Sequence, residues 1–148
     1  MKSDLLIREP QSIEEMELVF DLRWRVLRAP WHQPRGSERD SLEDRSRHVL
    51  AVSLEGRLCG VGRVHWNSPD EAQIRYMAVD PVDAGKDVGS RILLALEAIA
   101  REGGALRMVL NARQTAVSFY SKWAYADIAE AETLFGCVPH RRMEKRLQ

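Results

Sequence analysis

At 148 residues, with 45% hydrophobic and 30% charged content, the chain suits one globular domain spanning residues 1–148, able to bury roughly 70% of its unfolded surface. Lys+Arg and Asp+Glu both number 22, so no overall field favours nucleic acid or an anionic membrane. Neither is expected as a partner, and the basic tail His140-Arg141-Arg142 and Lys145-Arg146 is too short to change that. The two cysteines, Cys59 and Cys137, form no CxxC pair and no leader-like segment or membrane-length apolar run is present, which argues for free thiols in a cytoplasmic protein and against a metal.

Leu5-Leu6-Ile7 reads as a short first strand. Ser12 with Glu15 three residues later forms a capping box, and Ile13, Met16, Val19, Phe20, Trp24 and Leu27 recur at helical spacing to about Arg28, before Pro30. Trp31 to Arg47 is polar, mixed in charge and interrupted by Pro34, Gly36 and Ser37, so it predicts a long loop with one helical turn around Leu42. Loops of that length are uncommon without a function.

His48–Leu54 and Leu58–Trp66 predict a hairpin across Glu55-Gly56, with Gly60 and Gly62 leaving room for close approach by a neighbour. Ala72–Val79 is the next strand, closed by Asp80-Pro81. Val88, Ile92, Leu93, Leu96, Ile99 and Ala100 give the following segment one apolar helical face, which Gly103-Gly104 ends. Leu106–Leu110 predicts a strand, Thr115–Trp123 a short helix, and Tyr125–Ile128 and Arg142–Leu147 two weaker strands. This order predicts a mixed α/β sheet with helices on both faces.

The segment from Ile74 to Tyr125 carries the chemistry. Val82-Asp83-Ala84-Gly85-Lys86-Asp87-Val88-Gly89-Ser90 runs from a strand straight into a helix. Such a loop aims several backbone N–H groups and the positive end of a helix dipole at one point, which is an anion site. Tyr120 on the next helix would supply a proton nearby, and together these suggest group transfer from a phosphate-bearing donor. Gly85-Lys86 is followed by Asp87, so the loop is not of the Walker type, and the dinucleotide spacing is absent.

These residues resemble the GNAT superfamily of acyl-CoA-dependent N-acyltransferases. The likeness spans Leu5 to Leu147 and is strongest from Gln73 to Tyr125. Val79-Asp80-Pro81 matches the family's Val-x-Pro strand end. Asn111-Ala112 followed by Ala116-Val117-Ser118-Phe119-Tyr120-Ser121-Lys122-Trp123-Ala124-Tyr125 matches its third motif, with Ala124 where glycine is usual. The middle motif departs: Ala84 stands for the usual Gln/Arg and Asp87 for the first glycine, while Gly89 remains. A carboxylate about 5 Å from a phosphate, at an effective dielectric near 20, repels by roughly 3 kcal/mol; Asp87 is therefore expected to weaken acyl-CoA binding.

The resemblance implies a mostly antiparallel central sheet with helices on both faces. It also implies a splayed parallel pair, Ala72–Val79 beside Leu106–Leu110, with acetyl-CoA as cosubstrate in the gap. Met77, Ala78 and Val79 would pair with the pantetheine and stabilise the oxyanion; Gly85, Lys86, Asp87, Val88, Gly89 and Ser90 would receive the pyrophosphate. Asn111 and Phe119 complete the implied donor contacts, although Asn111 also reads as an asparagine that merely ends a strand. Tyr120 is the implied proton donor to the leaving thiolate. No base stands out: His48, His65, His140, Glu38 or a water chain would serve.

On the acceptor side, Trp31, Arg35 and Arg75 are the candidates, with a loop merely pinned by Trp31 as the rival reading. The expected activity is acetyl transfer to a primary amine of a small molecule or peptide. The rivals are a GNAT-shaped ligand sensor or interaction module, and a structural dimerisation domain formed through sheet edges and C-terminal strands.

Overall fold

A computed structural model describes residues 5–147. In chain order these form β1 (Leu5–Arg8), α1 (Ile13–Leu27), β2 (Arg47–Ser53), β3 (Leu58–Ser68), β4 (Glu71–Val79), α2 (Val88–Glu102), β5 (Arg107–Arg113), α3 (Val117–Lys122), β6 (Ala126–Leu134) and β7 (Val138–Arg146). The seven strands make one sheet in the order β1-β2-β3-β4-β5-β7-β6. Every neighbouring pair is antiparallel except β4 and β5, which run parallel.

Local chemistry sets most boundaries. Ser12 Oγ accepts from the Glu15 N–H at 3.1 Å and starts α1. The Glu15 carboxylate reaches one residue further back than a capping box requires, accepting from the Gln11 N–H at 2.7 Å and from the Arg8 guanidinium. Helix α1 ends at Leu27, and Pro30 sits in a single 3-10 turn, Ala29–Trp31. The hairpin of β6 and β7 is longer than the sequence suggests. Strand β6 is exposed along almost its whole length, so it has no apolar alternation to read, and Phe135 (φ 53°) and Gly136 (φ 70°) turn the chain into β7.

The two faces of the sheet carry different helices. Val19 and Leu22 of α1 pack with Leu50, Val61 and Ala78 on one face. On the other, Ile92, Leu93 and Leu96 of α2 and Tyr120 of α3 pack with Val49, Val64, Ala72, Ile74 and Leu110. Gly60 and Gly62 let α2 lie directly on β3: a Cβ on Gly62 would stand 2.7 Å from Ile92 Cγ2 and 2.8 Å from Leu96 Cδ1. Buried Glu97 ties α2 to the far strands, accepting from Tyr125 Oη at 2.8 Å and from Lys145 Nζ at 3.0 Å.

One irregularity in β4 shapes the site. Val61 pairs with Ala78 but Arg63 pairs with Arg75, so Gly62 alone opposes both Tyr76 and Met77. Tyr76 takes the extra residue in a left-handed conformation, φ 57°. Alternation changes phase there: Ala72 and Ile74 point to the α2 face, whereas Ala78 points to α1. Beyond Ile74 and Leu110, β4 and β5 no longer pair.

The long loop before β2 acts as a polar strap. Arg23 and Arg63 are wholly buried. Asp40 accepts from both ends of the Arg63 guanidinium, at 2.7 and 3.0 Å, and Glu43 Oε2 accepts from Arg23 and Arg63 at 3.0 Å each. Arg23 also donates to His48 Nδ1 at 3.1 Å and Arg63 to His65 Nδ1 at 3.3 Å, so both imidazoles face an arginine with a lone pair. Burial and these cations hold both histidines below their ordinary values.

Burial pushes the Asp40 carboxyl up most strongly, but the Arg63 hydrogen bonds, the Leu42 N–H and the charges of Arg63 and Arg75 together outweigh it and hold the group at about 2 against an ordinary 3.8. A depressed carboxyl stabilises the fold above its unfolded value and loses that contribution as pH falls through its folded value. Asp40→Asn is therefore expected to reduce unfolding free energy by about 2 kcal/mol near neutral pH. Urea titrations between about pH 6 and pH 2 should show the difference from the parent shrinking toward the acid end.

Candidate functional site

Where β4 and β5 part, a cleft of about 270 Å³ opens, lined by Gln73 to Val79 of β4, Leu110 to Arg113 of β5 and Tyr120 of α3. The Asp80 N–H donates to the Cys59 carbonyl at 2.8 Å. Strand alternation then points the backbone of Ala78 at β3 as well, and turns the N–H and C=O groups of Met77 and Val79 into the gap. Ala78 buries its methyl against α1. Across the gap, the Asn111 Oδ1 atom is buried without a hydrogen-bond partner among the described residues. An unsatisfied buried acceptor costs about 1–3 kcal/mol, which a ligand N–H placed there would recover. A gap with an open backbone edge on one side and an unanswered amide oxygen on the other fits the amide-bearing arm of CoA.

The loop from β4 to α2 is fixed at its start by Asp83, whose buried carboxylate accepts two bonds from Arg57 at 2.8 Å each. Lys86 Nζ lies 3.4 Å from the same carboxylate. Gly85 has φ 79°, and Asp87 is the N-cap of α2 at φ 63°, with no side-chain bond to the helix amides. Val88, Gly89 and Ser90 form the first turn, whose N–H groups have no acceptor within the helix. Ser90 Oγ donates to the Asp87 carbonyl at 3.1 Å. A Cβ added at Gly89 would stand in contact with Phe119, 3.4 Å from its ring.

Tyr120 packs edge-on against Phe119 and Tyr125, with ring centroids 5.0 and 5.8 Å away, and its hydroxyl has no hydrogen-bond partner among the described residues. Burial pushes the phenol up to about 12, with nearby Arg113 pulling the other way. It is therefore a protonated group that reaches the cleft throughout the physiological range.

Of the four candidate bases read from sequence, only His140 lines the cleft. His48 and His65 are committed to the buried arginines, and buried Glu38 accepts from the Gly36 N–H at 2.7 Å. His140 sits opposite Arg113 in the β5–β7 ladder. Its Nδ1 lies 2.9 Å from the Val138 carbonyl, which only accepts, so the neutral ring carries its lone pair on Nε2.

The acceptor candidates separate. Trp31 lines the cleft, stacked on Phe135 at 6.1 Å with the Arg113 guanidinium 4.6 Å above its ring. Arg75 also lines it, 3.4 Å from Asp40. Arg35 does not: it pairs with Asp21 at 2.9 Å and stacks on Trp24 at 4.1 Å, on the outer side of α1. Sequence reading missed Arg28, Arg113, Glu132 and Phe135, all on the cleft wall. Arg28 and Arg113 close elements whose boundaries were read short or as core, and Glu132 and Phe135 belong to the hairpin whose extent the sequence does not show.

Comparison with known proteins agrees with this geometry. An uncharacterised N-acetyltransferase of Bacillus subtilis (strain 168), YjcF, is 33% identical over 133 residues, covering 89% of this chain and 93% of its own. The fold matches an aminoglycoside 6'-N-acetyltransferase complexed with coenzyme A at a TM-score of 0.80, 16% identity and 97% coverage of both chains. It also matches a GNAT family acetyltransferase from Elizabethkingia anophelis with acetyl-CoA bound, at a TM-score of 0.77, 12% identity and coverage of 98% and 99%. Residues 16–125 fit the acetyltransferase (GNAT) family profile, and the chain belongs to that family.

Proposed function

We propose that this protein moves an acetyl group from acetyl-CoA to a primary amine of a small molecule or peptide by direct attack. The observation that carries the reading is Asn111 on the wall of the cleft where β4 and β5 part, its buried Oδ1 without a hydrogen-bond partner among the described residues. Acetyl-CoA would supply the activated acyl thioester. Met77 and Val79 would bind its arm as a further strand and place an N–H at the acyl oxygen. The first-turn amides of α2, Val88 to Ser90, together with Gly85 and Lys86, would hold the pyrophosphate.

Tyr120 would hold its proton toward the departing sulfur, a role suited to a phenol that stays protonated. His140 Nε2 would take a proton from the acceptor's ammonium, freeing the amine lone pair that then attacks the thioester. In this reading the cytoplasm, where acetyl-CoA is made and used, is the site of action.

Asp87 works against the donor. Its left-handed backbone already suits glycine, so Asp87→Gly removes a carboxylate at the loop without asking the chain to move. The expected result is about tenfold tighter acetyl-CoA binding by calorimetry, a gain that shrinks as salt is raised. An unchanged affinity would remove Asp87 from the phosphate contacts.

Tyr120→Phe is expected to lower kcat by about 100-fold while acetyl-CoA affinity stays put. His140→Gln should lower kcat/KM for the amine while acetyl-CoA affinity stays unchanged. Absence of acetyl-CoA binding up to millimolar concentration would sink the proposed activity as a whole.

A further inference from the structure

The cleft wall beyond Tyr120 holds two cations, of which Arg28 feels the charge of the Glu38 carboxylate without forming an ion pair with it. Arg28, at the end of α1, and Arg113, at the end of β5, are half-buried and line the cleft, yet neither forms an ion pair with a carboxylate among the described residues. Most other arginines of the chain do, including the wholly buried Arg23 and Arg63. Arg28 uses Nε on the Ser37 carbonyl at 3.0 Å and Nη1 on the Leu27 carbonyl at 3.1 Å. The Arg113 side chain donates no hydrogen bond among the described residues.

Both guanidiniums are held by aromatic rings instead. Arg28 lies 5.7 Å from the Tyr76 centroid and 5.4 Å from that of Phe135; Arg113 lies 4.6 Å from that of Trp31. Aromatic faces orient a guanidinium and leave its N–H fork to another partner. Burial lowers both groups from the ordinary arginine value, and Arg28 lowers Arg113 further, so the two charges oppose one another across the cleft. Arg75 adds a third cation, already engaged by Asp40, and Glu132 is the acid on this wall.

We infer that the amine acceptor also carries an anionic group, a carboxylate or a phosphate, and that Arg28 and Arg113 hold it. This rests on the acetyltransferase reading of the same cleft. The anion is not the donor's pyrophosphate, because none of Gly85 to Ser90 lines the cleft that holds these arginines. A planar guanidinium fork matches carboxylate and phosphate oxygens in pairs, so the site selects by geometry as well as by charge. His140, directly across the ladder from Arg113, then stands beside the bound anion, where it would meet the amine of a short acceptor.

The test is calorimetric titration of the free and the CoA-saturated protein with two matched pairs: N-acetylglycine against N-acetylglycinamide, and O-phosphoethanolamine against ethanolamine. The anionic member of at least one pair is expected to bind about tenfold or more tightly than its neutral counterpart, and the pair that responds names the anion. Arg113→Gln, which breaks no hydrogen bond within the protein, should remove the preference while CoA still binds; Arg113→Lys should restore part of it. Equal affinities within both pairs, or a preference that survives in both Arg113→Gln and Arg28→Gln, would overturn the inference. Failure to bind CoA would instead strike the acetyltransferase reading, and the anion preference would then be read on the free protein.

Discussion

A strand that pairs in parallel for four residues and then leaves its neighbour must expose a row of backbone donors and acceptors. The molecule arranges that departure with one extra residue in β4. Tyr76 at φ 57° costs on the order of 1–3 kcal/mol of backbone strain, and its surroundings over-determine it. The Arg23, Arg63 and Arg75 guanidiniums lie 4.5 to 5.0 Å from its ring, and Gly62 opposite leaves β3 free of a side chain on the face where α2 presses. The gap beside β5 and the orientation of Met77 and Val79 follow from this single irregularity.

The polar strap is the second device. Sequence suggests that a long, charged loop has a task, and the task is to bring Asp40 and Glu43 to two arginines buried beneath it. Buried pairs of this kind add little net stability when intact and are destructive when halved. Their value lies in fixing one arrangement. The strap begins with the turn that contributes Arg28 and Trp31 to the cleft, so its geometry sets the acceptor wall.

Much of the fold was legible because it rests on periodicity and punctuation. The apolar faces of α1 and α2, the hairpin at Gly56 and the strands around it stand close to where spacing places them. The outer strand β6 was read short because an exposed edge carries no alternation. The site was legible in part through motif. Two residues that depart from the family's glycines, Asp87 and Ala124, both adopt left-handed backbone, φ 63° and 73°. That backbone is the one glycine adopts most readily, and aspartate tolerates it better than alanine. Arg35 shows the opposite failure: residue type suggested a ligand, but Asp21 and Trp24 claim the side chain first. Arg28 and Arg113 show a third, since a lack of partners is invisible until every partner has been placed.

The two halves of the cleft are held by different forces. The donor half stands on α2 seated over Gly60 and Gly62, in the middle of the apolar core. The acceptor half hangs from a strap fixed by ion pairs along its length and by the stacking of Trp31 on Phe135 at its start. Local opening follows the weaker attachment. Amides of the strap should therefore exchange with solvent through excursions that leave β4 and α2 closed, while those of the donor half exchange only when the whole sheet opens. Such a molecule can reshape the wall that meets one reactant without loosening its grip on the other.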